Sequence, residues 1–227
     1  MRSWMIVAGV MVLAAAGAVA AKGSGKSHHS GHSAPAASGT KGEYDYYVMA
    51  LSWSPTFCQT RADEDEQCGR KGFGFILHGL WPQYENGGGP ELCTTEDEPD
   101  RKTVANTLAF MPSRRLITHE WRTHGACTGL DPAGYFGLAD RAFAAVRIPP
   151  ELSAPREDVQ MDANGLVAAF KNANPKLDEG MLSLQCSRGD LVEVRVCLDK
   201  TLAPRACGKR MQSRCPSKAE FTLPASQ

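Results

Sequence analysis

The chain has 227 residues, 42% hydrophobic and 22% charged, enough for one well-buried core and too few for an array of domains. Its 25 basic and 25 acidic residues cancel, but Arg2, Lys22, Lys26 and Lys41 all precede the first acid, so from Gly42 onward 21 basic residues face 25 acidic ones. A net-acidic body excludes a protein that grips nucleic acid by diffuse charge alone, and any phosphate site must be local.

Residues 1–21 have the layout of a cleavable export signal: Arg2, an apolar run from Met5 to Ala16, and small residues at Ala18-Val19-Ala20. A membrane anchor needs about 20 apolar residues in a row, and this run is shorter. A secreted or periplasmic protein is expected, free of the membrane after cleavage near Ala20 or Ala21. Residues 22–42 are small and polar and read as a disordered linker, with His28, His29 and His32 in a solvated tract rather than a metal site. Export makes the eight cysteines candidates for disulfides. Their gaps are too wide for a C-x2-C zinc signature, and spacing alone leaves the connectivity open.

The folding part is expected over residues 43–216, with 217–227 as a C-terminal tail. From Tyr44 an aromatic, β-forming run predicts a strand ending near Ser54. Thr60 to Lys71 is a charged loop bordered by Cys58 and Cys68. Phe73 to Trp81 predicts a second, buried strand stopped by Pro82, with His78 inside its apolar run. Asn86-Gly87-Gly88-Gly89-Pro90 is loop. A helix-permissive stretch broken by Pro112 leads to the segment His119-Glu120-Trp121-Arg122-Thr123-His124-Gly125-Ala126-Cys127. Asp131-Pro132 reads as an N-cap followed by proline at the first helical position, predicting a helix to about Val146. A second helix is expected from Asp162 through Phe170. Met181 to Cys186 and Leu191 to Leu198 alternate as an antiparallel pair. Strands, then helices, then strands predict an α+β fold, a mostly antiparallel sheet with packed helices and disulfide staples.

Two imidazoles and a carboxylate within six residues are an active-site density of groups. On a helix turning about 100° per residue, His119, Thr123, Glu120 and His124 fall within about 140°, and Trp121 is placed to anchor the helix in the core. The spacing is H-E-x-x-x-H, which splays the imidazoles instead of converging them on one ion as H-E-x-x-H does, and so argues against a zincin. Two splayed histidines can flank a substrate, one taking a proton and the other giving one, with unperturbed pKa values of about 6.5 suited to both jobs. His78 is a third candidate. RNA cleavage fits, because the nucleophilic 2′-hydroxyl is already in the substrate.

Two blocks, Phe75-Ile76-Leu77-His78-Gly79-Leu80-Trp81-Pro82 and His119 to Cys127, together resemble the ribonuclease T2 family of secreted acid ribonucleases. Ser52-Trp53-Ser54-Pro55-Thr56-Phe57-Cys58 and Asp131-Pro132 with Tyr135-Phe136 add to the resemblance, which spans Tyr44 to about Cys215. It implies single-stranded RNA as substrate rather than DNA, cleavage through a 2′,3′-cyclic phosphate, and no metal or other cofactor; a monomer is expected. His124 matches the family's general base, His78 its general acid, His119 its phosphate-holding histidine and Glu120 the acid that stabilises the transition state. Trp81 matches a base-contacting position. Tyr84 and Gln83 are further substrate-binding candidates, though a surface amide is the default for Gln83. The resemblance also implies the disulfides Cys58–Cys68, Cys93–Cys127, Cys186–Cys215 and Cys197–Cys207.

One position departs from the family: Thr123 stands where lysine commonly precedes the second histidine. Arg122 is the obvious substitute, although an ideal helix points it about 160° away from His124. Two other classes share these residues, a metal-dependent hydrolase and a non-catalytic binding protein on the same scaffold. Survival of activity in a chelator separates the first, and loss of a histidine would mark the second. An activity optimum below neutrality is expected.

Overall fold

The computed structural model describes residues 38–61 and 63–226, so the export signal and most of the expected linker lie outside the described residues. One six-stranded sheet organises the fold: β1 (Tyr46–Trp53), β2 (Phe75–Gln83), β3 (Val159–Met161), β4 (Leu182–Ser187), β5 (Asp190–Leu198) and β6 (Phe221–Leu223). The strand order is β2-β1-β5-β6-β3, with β4 also on β5, and every pairing is antiparallel except one contact between β5 and β6. Among the described residues five α-helices accompany it: α1 (Ser54–Thr60), α2 (Arg101–Thr107), α3 (Arg114–Thr123), α4 (Pro132–Ala145) and α5 (Ala163–Ala173). This is the expected α+β architecture.

β1 has the period of a central strand. Tyr47, Met49, Leu51 and Trp53 enter the main core, while Tyr46 and Val48 join Cys197 in a smaller cluster on the other face. The helices start where short polar side chains can accept free N–H groups: Asp100, Ser113, Asp131 and Asp162 cap α2, α3, α4 and α5. Trp121 is wholly buried and fixes α3 against Tyr135 of α4, whose hydroxyl donates to the Leu80 carbonyl of β2. The disulfides join Cys58 with Cys68, Cys93 with Cys127, Cys186 with Cys215 and Cys197 with Cys207, the pairing the resemblance implies.

Four expectations change. Pro82 does not stop the second strand; it pairs with Tyr47 inside β2, because β2 lies at the sheet edge and a missing N–H breaks no ladder there. Pro55 lies in the first turn of α1, which starts at Ser54 and is an element absent from the sequence reading. Residues 217–227 are not a trailing tail: Phe221 and Leu223 are buried in β6, and Trp53 Nε1 donates to the Pro224 carbonyl. The last residues assigned to the linker also join the body, with Ser38 bridged to Glu91 and the Gly42 N–H donating to the Cys127 carbonyl.

Candidate active site

β2 delivers His78 through a break in its own register. Ala50 of β1 faces Gly79 and Leu51 faces Leu77, so His78 is an extra residue, a bulge. The bulge lets Leu77 and Leu80, three apart, both enter the main core while the imidazole is turned out of it. A matching shift occurs in β5, where Gln185 faces Glu193 and Cys186 faces Leu191, leaving Val192 as the extra residue beside Glu193.

β2 and β5 lie on opposite sides of β1, about 10 Å apart at the usual strand spacing. Only long side chains crossing a small residue can meet over that gap, and β1 presents Ala50 and Ser52 there. His78 Nδ1 lies 2.7 Å from Glu193 Oε2, and Arg195 Nε donates to Glu193 Oε1 at 2.6 Å. Burial disfavours a charged Glu193, but His78 and Arg195 outweigh it and hold the carboxyl below its ordinary range. Burial also disfavours a charged His78; the bond to Glu193 and the charges of Glu120 and Glu193 overcome that, and its pKa ends above the ordinary value despite Arg195.

α3 brings His119 and Glu120 but ends at Thr123, so His124 is not on the helix face that periodicity suggested; it is the C-cap, with φ −123° and ψ −47°. The one face also divides by depth. The His119 side chain is 61% exposed at the rim, whereas that of Glu120 is 1% exposed in the floor. Glu120 Oε2 accepts from Trp81 Nε1 at 2.7 Å, and its Oε1, with no hydrogen-bond partner, lies 3.5 Å from His78 Nε2 and 4.0 Å from His119 Nε2. Burial pushes the Glu120 pKa up to about 7, against the pull of His78 and Trp81. Gly79 makes this seat: a Cβ there would run into Glu120 Oε2 and Trp81 Nε1.

His124 is buried, its ring 5.3 Å from that of Trp81, and its Nδ1 is enclosed without a hydrogen-bond partner among the described residues. Burial, aided by His119 and His78, depresses its pKa to about 3. Burial likewise lowers His119, with His78 and Arg115 adding to the effect. Gly125 follows because a side chain there would strike Trp121 and Tyr135.

His78, His119, Glu120, His124 and Trp81 thus come together. Trp81 is surrounded by the site's own groups, Glu120 at its N–H, His78 and His124 around its ring and Arg195 with Cζ 5.1 Å from its centroid. Gln83 is buried rather than a surface amide, and turns its Nε2 back to the Pro82 carbonyl. The Tyr84 hydroxyl sits against Gly39. Arg122, the candidate substitute for the missing lysine, is paired with Glu98 instead, its Nε 2.7 Å from Glu98 Oε1. Thr123 places its hydroxyl 3.4 Å from His119 Nδ1. Two cavities flank His78, of about 300 Å³ with His119 and Arg115 and about 380 Å³ with Glu193 and Arg188. Glu193 was missed from sequence; its signal was a Glu and an Arg spaced by two among the otherwise apolar residues Leu191 to Leu198.

The Ribonuclease T2 family model matches residues 44–207. The chain is 47% identical over 187 residues to a ribonuclease of Aeromonas hydrophila, covering 80% of this chain and 85% of that protein. It is 31% identical over 176 residues to a probable ribonuclease of Haemophilus influenzae, covering 70% of this chain and 60% of the relative. Among solved structures, the RNase-related protein from Calystegia sepium has a TM-score of 0.67 at 25% identity, covering 82% of this chain and 99% of that one. RNase NT in complex with 5′-AMP shares the fold, with a TM-score of 0.54 at 21% identity over 77% of this chain and all (100%) of that one. The chain belongs to the ribonuclease T2 family and is an endoribonuclease.

Proposed function

We propose that this ribonuclease cleaves single-stranded RNA without a metal, by attack of the 2′-hydroxyl on the adjacent phosphorus. His124 Nε2 takes the hydroxyl proton, the O2′–P bond forms, and the P–O5′ bond breaks as His78 Nε2 gives its proton to O5′. The product is a 2′,3′-cyclic phosphate. Water then opens it with the two histidines in exchanged roles, which restores their protons. His119 at the rim holds a phosphoryl oxygen, and Glu120 faces the charge that gathers on the phosphoryl group. Glu193 keeps the His78 ring in place and charged.

The observation that carries this reading is the opposite tuning of two nearby imidazoles. His124 is depressed to about 3 and so is neutral, as a base must be, while His78 is raised and so is charged, as an acid must be. A complex of the related RNase NT with 5′-AMP fits a nucleotide-sized substrate. The layout of residues 1–21 supports export to a periplasmic or extracellular space, and no helix among the described residues is long and apolar enough to cross a membrane. We take the working form to be a monomer.

The test is digestion of RNA in EDTA with analysis of product ends, using His78→Ala and His124→Ala as controls. Cyclic phosphate from the wild type alone is the expected result. Loss of activity on chelation, restored by added metal, would replace this reading with a metal-dependent one.

A further inference from the structure

Between Lys200 and Lys218 the sequence holds six basic residues, Lys200, Arg205, Lys209, Arg210, Arg214 and Lys218, and no acid, whereas the rest of the chain from Gly42 carries 15 basic residues against 25 acidic. The local cation density missing from the body as a whole is concentrated here. Two disulfides, Cys197–Cys207 and Cys186–Cys215, tie this segment to β5 and β4. Its middle, Cys207 and Met211, lies with the smaller cluster on the face away from the main core, while Leu202 and Cys215 pack against the main core. Gly208 packs on Tyr46 of β1, Met211 joins Trp81 in the smaller apolar cluster, and the Arg214 N–H donates to the Leu184 carbonyl of β4.

The middle of the segment, at Met211, therefore lies beside the active site. Arg195, whose guanidinium lies by Trp81, has its Nη1 3.8 Å from Met211 Sδ, and the stem of Arg210 lies against Gly87 in the loop after β2. Lys209 and Arg210 before Met211, and Arg214 and Lys218 after it, are exposed. Arg205 is paired with Glu85, but among the described residues Lys209, Arg210, Arg214 and Lys218 have no carboxylate partner. Four exposed, unpaired cations on a disulfide-tied segment that meets the catalytic centre at Met211, on a protein whose remaining body is net acidic, have the chemistry to follow a phosphate backbone.

We infer that Lys209, Arg210, Arg214 and Lys218 form a track that binds the phosphates of an RNA strand flanking the cleaved one. This rests on the RNA-cleaving reading above and extends it from the scissile nucleotide to the strand. The track acts through charge and is indifferent to base identity, so it favours long RNA over short fragments.

The test replaces these four residues together by glutamine and compares a dinucleoside monophosphate, which has one phosphate, with a single-stranded RNA of about 30 nucleotides. The expected result is a KM for the long RNA raised about tenfold and unchanged kinetics on the dinucleotide. The slope of log affinity against log salt should become shallower by roughly 2 to 3, at about 0.7 per lost contact. Binding of the same strand as 2′-O-methyl RNA, which lacks the nucleophile, should weaken in parallel; that arm reads the track even if the cleavage mechanism is wrong. If the fourfold variant misfolds, Lys209→Glu with Lys218→Glu, both exposed, gives the same comparison. Equal loss on long and short substrates, or unchanged binding of the methylated strand, overturns the track. A variant that loses affinity for anionic vesicles and not for RNA would overturn it in favour of a membrane surface.

Discussion

His78 Nδ1 and Glu193 Oε2 stand 2.7 Å apart although their strands are separated by the whole of β1. The contact exists because both strands bulge at that level and β1 is lined with small residues between them. It fixes which nitrogen of the imidazole faces substrate and favours the cation. Glu193→Gln keeps a hydrogen-bond acceptor but removes the charge, so the His78 pKa falls. With the proposed roles, the depressed His124 should set the acid limb of the kcat/KM profile and the raised His78 the basic limb, with the optimum expected on the acid side of neutrality. In Glu193→Gln the basic limb should move to lower pH while the acid limb stays. The rate at the optimum should fall by about 10² or less, short of deleting the acid itself. A basic limb that does not move would mean Glu193 is only packing.

Gly79→Ala tests the seat of Glu120. The added methyl must displace the Glu120 carboxylate or the Trp81 indole, and a shift of about 1 Å in such a group can cost about 10²-fold in rate. Overpacking should cost about 1–3 kcal/mol of stability. Retention of full kcat/KM by a folded Gly79→Ala would show that the carboxylate position is not critical.

Glu120→Gln should trade stability against activity. A carboxyl raised to about 7 in the folded state and near its ordinary value when unfolded binds more protons when folded, so its charge destabilises the fold progressively as pH rises from about 4.5 through 7. Glutamine removes that cost, giving about 2 to 3 kcal/mol at pH 8 and little at pH 4. Thermal melts at both pH values check this, with kcat/KM expected to drop in parallel. A variant less stable at pH 8 than the wild type would mean that the partners of Glu120 outweigh its burial.

Arg122→Ala should leave kcat/KM within about twofold, because an exposed pair such as Arg122 with Glu98 contributes little and the side chain is turned from the cleft. A loss of tenfold or more in steady-state assays would return Arg122 to the role vacated by Thr123.

Cys127→Ser removes the bridge that holds the loop at Cys93 against the chain after His124, and should cost about 2–5 kcal/mol. Its Tm should fall while the turnover of the folded fraction is kept. An unchanged Tm with lost turnover would make the bridge part of the chemistry.

The sequence alone determined the parts that depend on neighbours along the chain. The strands β1, β4 and β5, the aspartate caps of α4 and α5, and the closeness of His119, Glu120 and His124 along the chain were all readable from local composition, alternation or capping, whereas the shared helix face expected for His124 is lost where α3 ends at Thr123. Local rules failed where a distant partner overrode them. Pro82 stays in a strand because that strand is an edge, and Phe221 to Leu223 become β6 because β3 and β5 offer partners far away in the chain. The environments that set the histidines apart were decided only by tertiary structure. His78 and His124 begin with the same unperturbed pKa, and it is the acids gathered around one and the apolar enclosure of the other, brought from β2, β5 and the end of α3, that drive them apart.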